Sequence, residues 1–438
     1  MSKYEKYMES EFVGIGKVPT HWEVKRLKHL GEAIIGLTYS PNDVTENEEG
    51  ILVLRSSNIQ EGFIAFDDCV YVNKEVNENL ITRKGDILIC ARNGSAHLVG
   101  KNICIDEISA GHTFGAFMVV FRGKYWRYLS YFFNSPIFTS QTGMFSTTTI
   151  NRLTSQTLNN LRIAYPSDKT EQDNICNYLD DQTQKIDRLI ANKKAQAEKL
   201  KELRQIEINN AVTKGLNPNV EIKDSGIDWL GEIPKHWEVK RVKGICKIVN
   251  GSTPSSSIES YWEGDIIWVT PGDFKNFEHT IGDSESKITD EGYKNCGTSI
   301  VPIGSIILTT RAPIGNVLVA SKELCTNQGC KSLVPFRINS EFLYYYISVS
   351  SIQLNVLGQG TTFLELSTGN LSTFKVPVPP KEEQIQIAKY LQVRTKAIDK
   401  LIKNIDAQIE KLQELRKIKI YEAVTGKIKV NAYVEATA

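Results

Sequence analysis

Asp265 and the run Glu285-Ser286-Lys287 contain the residue types of a metal-dependent nuclease, in which separated carboxylates bind a cation beside the attacked phosphate. A carboxylate two positions before a lysine arises easily by chance, however, because 24% of the residues are charged. The first half of the chain also has no counterpart of these residues. A self-contained nuclease built on Asp265, Glu285 and Lys287 therefore stays as an alternative and not as the main interpretation.

Motifs that bind phosphate, cofactors or zinc are absent or incomplete in the sequence. Residues 94–102 have the wrong spacing for a phosphate-binding loop and lack the Ser or Thr that binds the metal. No GxGxxG follows a predicted strand, and residues 134–138 lack the second proline of the amino-methyltransferase loop, so we interpret them as a helix end. The six histidines show no zinc-binding spacing. The sequence thus predicts no catalytic residue, no metal site and no cofactor in this chain.

The composition indicates a globular protein, and its length of 438 residues suggests two to four domains of about 100–200 residues. The eight cysteines form no CxxC pair, no apolar run approaches the roughly 18 residues of a membrane span, and the start MSKYEKYMES is polar. We therefore expect reduced thiols and a cytoplasmic protein. The 52 Lys and Arg against 51 Asp and Glu give a net charge of +1, which on its own argues against nucleic-acid binding.

The chain is a tandem repeat of a unit of about 210 residues. Residues 18–28 (VPTHWEVKRLK) recur as residues 233–243 (IPKHWEVKRVK), and we interpret the repeated His-Trp pair as a structural corner at a domain entry. Residues 171–213 match residues 383–425 with 24 of 43 positions identical. The order of these blocks is the same in both halves, so two copies of one unit are predicted.

Each copy has an α+β part followed by a helical part. Short apolar runs separated by Gly, Pro, Asn and Ser predict strands and turns over residues 1–168 and 215–380. Apolar residues at heptad spacing predict one long helix in 169–214 and another in 381–438. We expect the two helices to pack as an antiparallel coiled coil with pseudo-two-fold symmetry, and a parallel pair is the alternative. The heptad residues, taken as the residues of the subunit-docking helices, are Ile186, Ile190, Leu200, Ile398, Ile402, Ile405, Ile409 and Leu412.

Three groups of residues resemble one protein family. Residues 224–237 (DSGIDWLGEIPKHW) look like the segment before the second target-recognition domain in specificity subunits of type I restriction-modification systems. The run GSTPS at 251–255 with YWEGDIIW at 261–268 resembles the opening of such a domain. The two heptad segments are similar to the conserved spacer helices of that family.

The resemblance implies a non-catalytic subunit that binds double-stranded DNA. Each recognition domain would read one half of a split target, and the helices would set the spacer and dock two modification (methyltransferase) subunits. Restriction (translocase and nuclease) subunits would join in the full complex. S-adenosylmethionine, ATP and Mg²⁺ are expected on those partner subunits and not on this chain.

Candidate DNA contacts are polar residues on loops that follow predicted strands, because such side chains can read base edges. We expect shared positions such as Arg92/Arg311 and Thr148/Thr361 to contact phosphates, and differing positions such as Asn58/Asp273 and Asn151 to read bases. The alternative is that these loops are ordinary solvated turns whose arginines pair with nearby acids. The full candidate set is Arg55, Ser56, Asn58, Arg92, Asn93, Thr148, Asn151, Arg152, Thr253, Thr270, Asp273, Arg311, Asn316, Gln359, Thr361 and Thr362.

The charge is unevenly distributed along the chain. Residues 1–168 and 215–380 carry net charges of −1 and −3, whereas 169–214 and 381–438 carry +1 and +4. We therefore expect weak DNA binding by this chain alone, with much of the phosphate contact left to its partners. A coiled-coil tether with two protein-binding domains and no DNA role is the alternative function.

Overall fold

The computed structural model describes residues 2–12, 14–46, 50–60, 62–143, 152–358 and 364–431. The chain forms two compact units. Unit 1 comprises Met1–Lys194 and Ala407–Ala438, and unit 2 comprises Ala195–Asp406. Each unit therefore contains one α+β domain together with parts of both long helices, and unit 1 is built from two separate segments of the chain.

Unit 1 is built on two four-stranded sheets, with strand orders β10-β6-β7-β5 and β4-β11-β8-β9. Two small antiparallel pairs, β1-β2 and β3-β12, complete its strands. The elements are β1 (Tyr7–Glu9), β2 (Lys17–Pro19), β3 (Trp22–Arg26), β4 (Gly31–Ile35), β5 (Val44–Thr45), β6 (Ile51–Leu54), β7 (Tyr71–Val72), β8 (Ile87–Cys90), β9 (Asn102–Cys104), β10 (Thr113–Phe114), β11 (Met118–Gly123), α1 (Trp126–Phe133), α2 (Pro136–Gly143), α3 (Ser155–Asn160), β12 (Arg162–Pro166) and the beginning of α4 (Lys169–Lys214).

Unit 2 has the corresponding strands in a five-stranded sheet of order β16-β23-β20-β21-β18 and a three-stranded sheet of order β19-β17-β22. The pairs β13-β14 and β15-β24 match the small pairs of unit 1. The elements are β13 (Ile222–Asp224), β14 (Glu232–Pro234), β15 (Glu238–Arg241), β16 (Cys246–Asn250), β17 (Trp262–Val269), β18 (Thr280–Ile281), β19 (Lys287–Ile288), α5 (Asp290–Lys294), β20 (Ile306–Thr309), β21 (Val317–Ala320), β22 (Cys325–Thr326), β23 (Cys330–Pro335), α6 (Ser340–Ser348), α7 (Ser351–Val356), α8 (Thr368–Thr373), β24 (Lys375–Val378) and α9 (Lys381–Val424).

The central strand of each unit is buried on both faces, which explains its uninterrupted apolar sequence. In β8, Ile87 and Ile89 join the core that faces the helices, whereas Leu88 and Cys90 join the core shared with β6. In β20, Ile306 and Leu308 face the helical core and Ile307 faces the other. Successive side chains of a strand point to opposite faces, so one apolar strand serves two cores.

Parts of both long helices complete the main core of each unit. In unit 1, Ile175 near the beginning of α4 and Val424 at the end of α9 lie in one core with Trp22. The Tyr128 hydroxyl in this core donates to the carbonyl oxygen of Val424 at 3.1 Å. In unit 2 the order is reversed, and Val212 from the end of α4 shares a core with residues from the beginning of α9 such as Ile387.

One ion pair between the two long helices recurs in both units, at positions that the repeat relates. Asp187 Oδ1 lies 2.9 Å from Arg416 Nε in unit 1, and Asp399 Oδ1 lies 2.9 Å from Arg204 Nε in unit 2. In unit 1, Asp187 comes after Ile175 in α4, whereas Arg416 comes before Val424 in α9. The two helices therefore run in opposite directions within the unit. The heptad residues are buried (Ile186, Ile398) or half-buried (Ile190, Leu200, Ile402, Ile405, Ile409, Leu412).

The repeated His-Trp pair anchors the first turn of the helix that follows each domain. Trp22 Nε1 donates to Glu171 Oε1 at 3.0 Å, and Trp237 Nε1 donates to Glu383 Oε2 at 3.1 Å. His21 and His236 contact the same carboxylates. A carboxylate also suits the positive end of a helix dipole. The pair thus has the structural role that the sequence predicted.

Candidate nucleic-acid interface

The loop after β6 contains Arg55, Ser56 and Asn58, and a buried asparagine holds it. The Asn58 side chain is only 1% exposed. Its Oδ1 accepts from the Arg55 backbone N–H at 2.8 Å, and its Nδ2 donates to the carbonyl oxygens of Ala65 and Asp68 at 3.0 and 3.1 Å. With these bonds made inside the loop, Asn58 is not placed to read a base.

The loop after β17 in unit 2 is held in the same way by an acid. Asp273 is 2% exposed, and its Oδ2 accepts from the backbone N–H and the hydroxyl of Thr270 at 2.7 and 2.8 Å. Its Oδ1 accepts from the Glu285 N–H at 2.8 Å. The prediction that Asn58 and Asp273 read bases is therefore corrected. Both side chains point inward and hydrogen-bond to backbone groups of their own loops. The Thr270 hydroxyl is likewise used inside its loop, where it donates to Asp273.

The loop after β8 is tied to the loop after β6. Asn93 Nδ2 donates to Ser56 Oγ at 3.2 Å, which brings these two predicted residues together. Arg92 is exposed, and its guanidinium lies over the ring of Phe117 at 5.2 Å from the centroid. Arg55 is engaged differently, because its guanidinium pairs with Asp68 at 2.9 Å.

Phe117 is a member of this cluster that sequence reasoning missed. Its side chain is 59% exposed, although its backbone is held firmly because its carbonyl accepts from the N–H groups of Ala91 and Arg92 at 2.9 and 3.1 Å. It stands directly before the buried strand β11. The segment 113–121 is largely apolar in sequence, so the residue that points outward could be recognised only from the register of the strand.

A third loop meets the second through a β-bridge between Arg92 and Arg152. The adjacent Leu153 N–H donates to the Ala91 carbonyl at 2.7 Å. Arg152 is exposed. Three loops that are far apart in sequence therefore converge in unit 1. Thr148 and Asn151 lie outside the described residues.

Unit 2 repeats the contact between the second and third loops with different side chains. Arg311, two residues after β20, forms a β-bridge with Glu365, and the Leu366 N–H donates to the Thr310 carbonyl at 2.9 Å. Arg311 Nε lies 3.1 Å from Glu365 Oε2. Asn316 is exposed on the far side of the same loop. Gln359, Thr361 and Thr362 lie outside the described residues.

Two tryptophans position the segment around Thr253 in unit 2. The indole N–H groups of Trp268 and Trp262 donate to the carbonyls of Ser252 and Ser255 at 2.9 and 3.2 Å, and the rings pack edge to face. Thr253 is exposed, and its hydroxyl hydrogen-bonds the Gln328 side chain. At Gly251 a Cβ would collide with the carbonyl oxygen of Asn327, so only glycine permits this approach.

A cleft of about 670 Å³ opens beside the convergent loops of unit 1. Its walls are mostly apolar, and three polar residues of the first loop, Arg55, Ser56 and Ser57, line it. A surface with apolar walls and convergent polar groups suits contact with a base or its methyl group. The apolar lining includes Leu37, Tyr39, Val44, Val70, Phe117 and Met118.

The described residues include no group of three His, Cys, Asp or Glu side chains that could hold a metal, and none of their helices is long and apolar enough to cross a membrane. Lys287 pairs with Asp283 at 3.1 Å, and Glu285 pairs with Lys275 at 3.5 Å, so two of the three residues of the nuclease alternative pair with other side chains. Burial raises the pKa of the Cys330 thiol to about 12, which keeps it protonated and unreactive.

Comparison with known proteins decides the family. A family model described as the type I restriction modification DNA specificity domain matches residues 19–199 and again residues 234–411. The chain belongs to this specificity family. The two matches coincide with the two copies found from the internal repeat, so both copies carry the family's domain.

Individual relatives agree with the family match. The specificity-family chain is 41% identical over 199 residues to the type I restriction enzyme MjaIX specificity subunit of Methanocaldococcus jannaschii, an alignment that spans 44% of each chain. It is 28% identical over 448 aligned positions to the putative type I restriction enzyme MjaX specificity subunit of the same organism, covering 98% of both. Its function is DNA sequence specificity, and as a specificity subunit it is not an enzyme.

A solved structure shares the fold. Its description concerns complex assembly and conformational transition of the type I restriction-modification system, and it matches with a TM-score of 0.70 at 18% identity. The match covers 94% of this chain and 99% of the other. The two chains therefore share one fold over nearly their whole length.

Proposed function

We propose that each unit reads one half of a bipartite double-stranded DNA target. The observation that supports this most directly is the convergence of separate loops, repeated in both units, with exposed polar side chains at the meeting point. The proposed DNA-contacting residues are Ser56, Arg92, Asn93, Arg152, Thr253 and Asn316, and Phe117 is added to them. Arg55 and Arg311 are left out because their side chains pair with Asp68 and Glu365. The loop segments with Thr148, Asn151, Gln359, Thr361 and Thr362 complete the proposed set.

The two long helices are proposed to form an antiparallel coiled coil that sets the length of the spacer between the half-sites. Two ion pairs related by the repeat, Asp187–Arg416 and Arg204–Asp399, support this pairing. The burial of the heptad residues supports it as well.

The same helices are proposed to dock two modification subunits. Two of the heptad residues are buried and the other six are only half-buried, so the proposal adds exposed apolar residues of the same helices to the docking surface. Six such residues form three pairs whose members are 212 residues apart, which is the offset of the repeat. One member of each pair lies in unit 1 and the other lies in unit 2. In unit 1 the set is Leu189, Leu415 and Ile418, and in unit 2 it is Leu401, Leu203 and Ile206.

A surface that occurs twice fits two copies of one partner, because each copy would meet the same apolar side chains. Burying large apolar side chains that are about half exposed is favourable by about 25 cal/mol per Å². Restriction subunits would join the full complex, and S-adenosylmethionine, ATP and Mg²⁺ would be bound by the partners. The tether without a DNA role is the competing proposal.

The experiment that tests the proposal co-expresses the chain with its modification subunits and selects from random-sequence duplexes. Recovery of two fixed half-sites separated by a spacer of constant length supports the proposal. Mapping methylated adenines in cells that carry the same pair of genes should give the same target. Recovery of no sequence preference would favour the tether, and metal-dependent cutting by the chain alone would favour the nuclease.

A further inference from the structure

Each unit has an arginine two residues after its central strand, Arg92 or Arg311, and each arginine forms a β-bridge to a residue of the third loop. The bridge partner is the point at which the copies differ. It is Arg152 in unit 1 and Glu365 in unit 2. Positions 152 and 365 correspond in the repeat. The difference between arginine and glutamate at this position changes the local charge from +1 to −1.

In unit 1 two like charges stand on paired backbone positions. Neither Arg92 nor Arg152 forms an ion pair with a carboxylate among the residues that the structure describes, and both are exposed. Like charges directly opposite each other on paired strands are destabilising. The Phe117 ring lies against the Arg92 guanidinium at 5.2 Å and limits where that group can go. Two exposed arginines side by side, of which Arg92 is oriented by an aromatic ring, are suited to binding an anion.

In unit 2 the equivalent charge is already neutralised. Arg311 Nε lies 3.1 Å from Glu365 Oε2, and the position of Phe117 is taken by Gly329, which has no ring to orient the guanidinium. The neighbouring cation is Lys331, which is 6% exposed. Burial lowers the pKa of Lys331, and the Glu365 carboxylate opposes that effect. Lys331 is therefore not placed to replace Arg311 at a surface.

We propose that the bridge partner decides how each unit contacts the DNA backbone. Arg92 and Arg152 each neutralise one phosphate in unit 1, whereas Glu365 keeps Arg311 from doing so in unit 2. This replaces the expectation that Arg92 and Arg311 make equivalent phosphate contacts. The inference rests on the proposed function. It predicts that the unit 1 half-site contributes more to the salt dependence of binding than the unit 2 half-site does.

The test measures the salt dependence of DNA binding by the chain in complex with its modification subunits, on the duplex selected above. Each phosphate contact contributes about 0.9 to the slope of log affinity against log salt concentration. The R92Q/R152Q double variant should lower the magnitude of the slope by about 1.8. The R311Q/E365Q double variant removes two charges at the same place in unit 2 and should leave the slope unchanged. The single variant E365Q should increase it by about 0.9, because it releases Arg311.

Equal slope losses in the two double variants, or no change with E365Q, would overturn the inference while the wild-type complex still binds selectively. A wild-type complex without sequence-selective binding would instead overturn the proposed function. Thermal unfolding of each variant separates loss of contact from loss of fold. An R92Q/R152Q variant that unfolds at the wild-type temperature with an undiminished slope also counts against the inference.

Discussion

At the scale of single residues, the chemistry of the interface is divided between side chains that hold loops and side chains that face outward. The sequence shows both kinds as polar residues after a strand, so it could not separate Asn58, which is buried, from Arg92, which is exposed. Whether a polar side chain turns inward depends on carbonyls supplied by residues 7 and 10 positions away, as for Asn58. Local sequence carries no signal for such contacts.

Replacing Asn58 by aspartate should destabilise unit 1. The carboxylate would face the carbonyl oxygens of Ala65 and Asp68 without a proton to donate, and leaving such buried groups unsatisfied costs about 1–3 kcal/mol. Chemical denaturation of N58D should show this loss. The variant S57A changes the exposed neighbour and should alter the unfolding free energy by less than about 0.5 kcal/mol. Equal stability of N58D and S57A would refute the loop-holding role.

Removing the Phe117 ring should weaken DNA binding. An exposed cation–π contact contributes about 0.5–1 kcal/mol, so F117A should reduce affinity by roughly 2- to 5-fold because Arg92 loses its orientation. Phe63 is exposed to a similar extent in the same unit and serves as the control. The measurement is equilibrium binding to the selected duplex. If F63A and F117A bind equally well, Phe117 has no special part in the interface.

At the scale of elements, the long helices were the most predictable feature and the short strands the least. Heptad spacing predicted helices from 169 to 214 and from 381 onward, and the structure has α4 as Lys169–Lys214 and α9 as Lys381–Val424. A periodic pattern over more than 40 residues outweighs local irregularities. Many strands contain only two or three residues, such as β5 (Val44–Thr45), and are specified by pairing with distant segments.

A charge introduced on one exposed apolar face of the helices should remove one partner subunit. The L415E change lies in unit 1 and L203E lies at the equivalent position in unit 2, and each would place a carboxylate in the proposed docking surface. Native mass spectrometry of the complex should show one modification subunit bound to either variant and none bound to the double variant. The control Q408E alters an exposed polar position of α9 and should retain both subunits. Two subunits bound to L203E/L415E would rule out this surface.

At the scale of the whole molecule, the repeat predicted the number of domains and their order, because two copies with identical block order leave one organisation. The sequence did not predict that each core takes in the end of a helix from the other copy. Val424 lies about 400 residues after Trp22 in the chain and shares its core. Such a contact follows from the direction of the helices, and sequence periodicity does not give direction.

Lengthening one long helix should change the spacer of the target and leave both half-sites unchanged. Four residues add about 6 Å to an α-helix and rotate the residues after the insertion by slightly more than one turn. Selection from random duplexes with a variant that carries four extra residues after Lys194 should recover the same half-sites with a different gap. An unchanged gap would mean that the helices do not set the spacer.

The first described residues and the segment after the last helix meet in unit 1, where the Lys429 N–H donates to the Ser2 carbonyl at 2.9 Å. In unit 2 the same region is a continuous backbone that leads from α4 through Gly215 to β13. Unit 1 thus has a hydrogen-bonded contact between residues 2 and 429 at the place where unit 2 has a covalent connection. Moving the covalent connection from one unit to the other should leave the target unchanged. A chain joined from 431 to 2 by a short linker and opened between 216 and 217 should select the same duplex as the original.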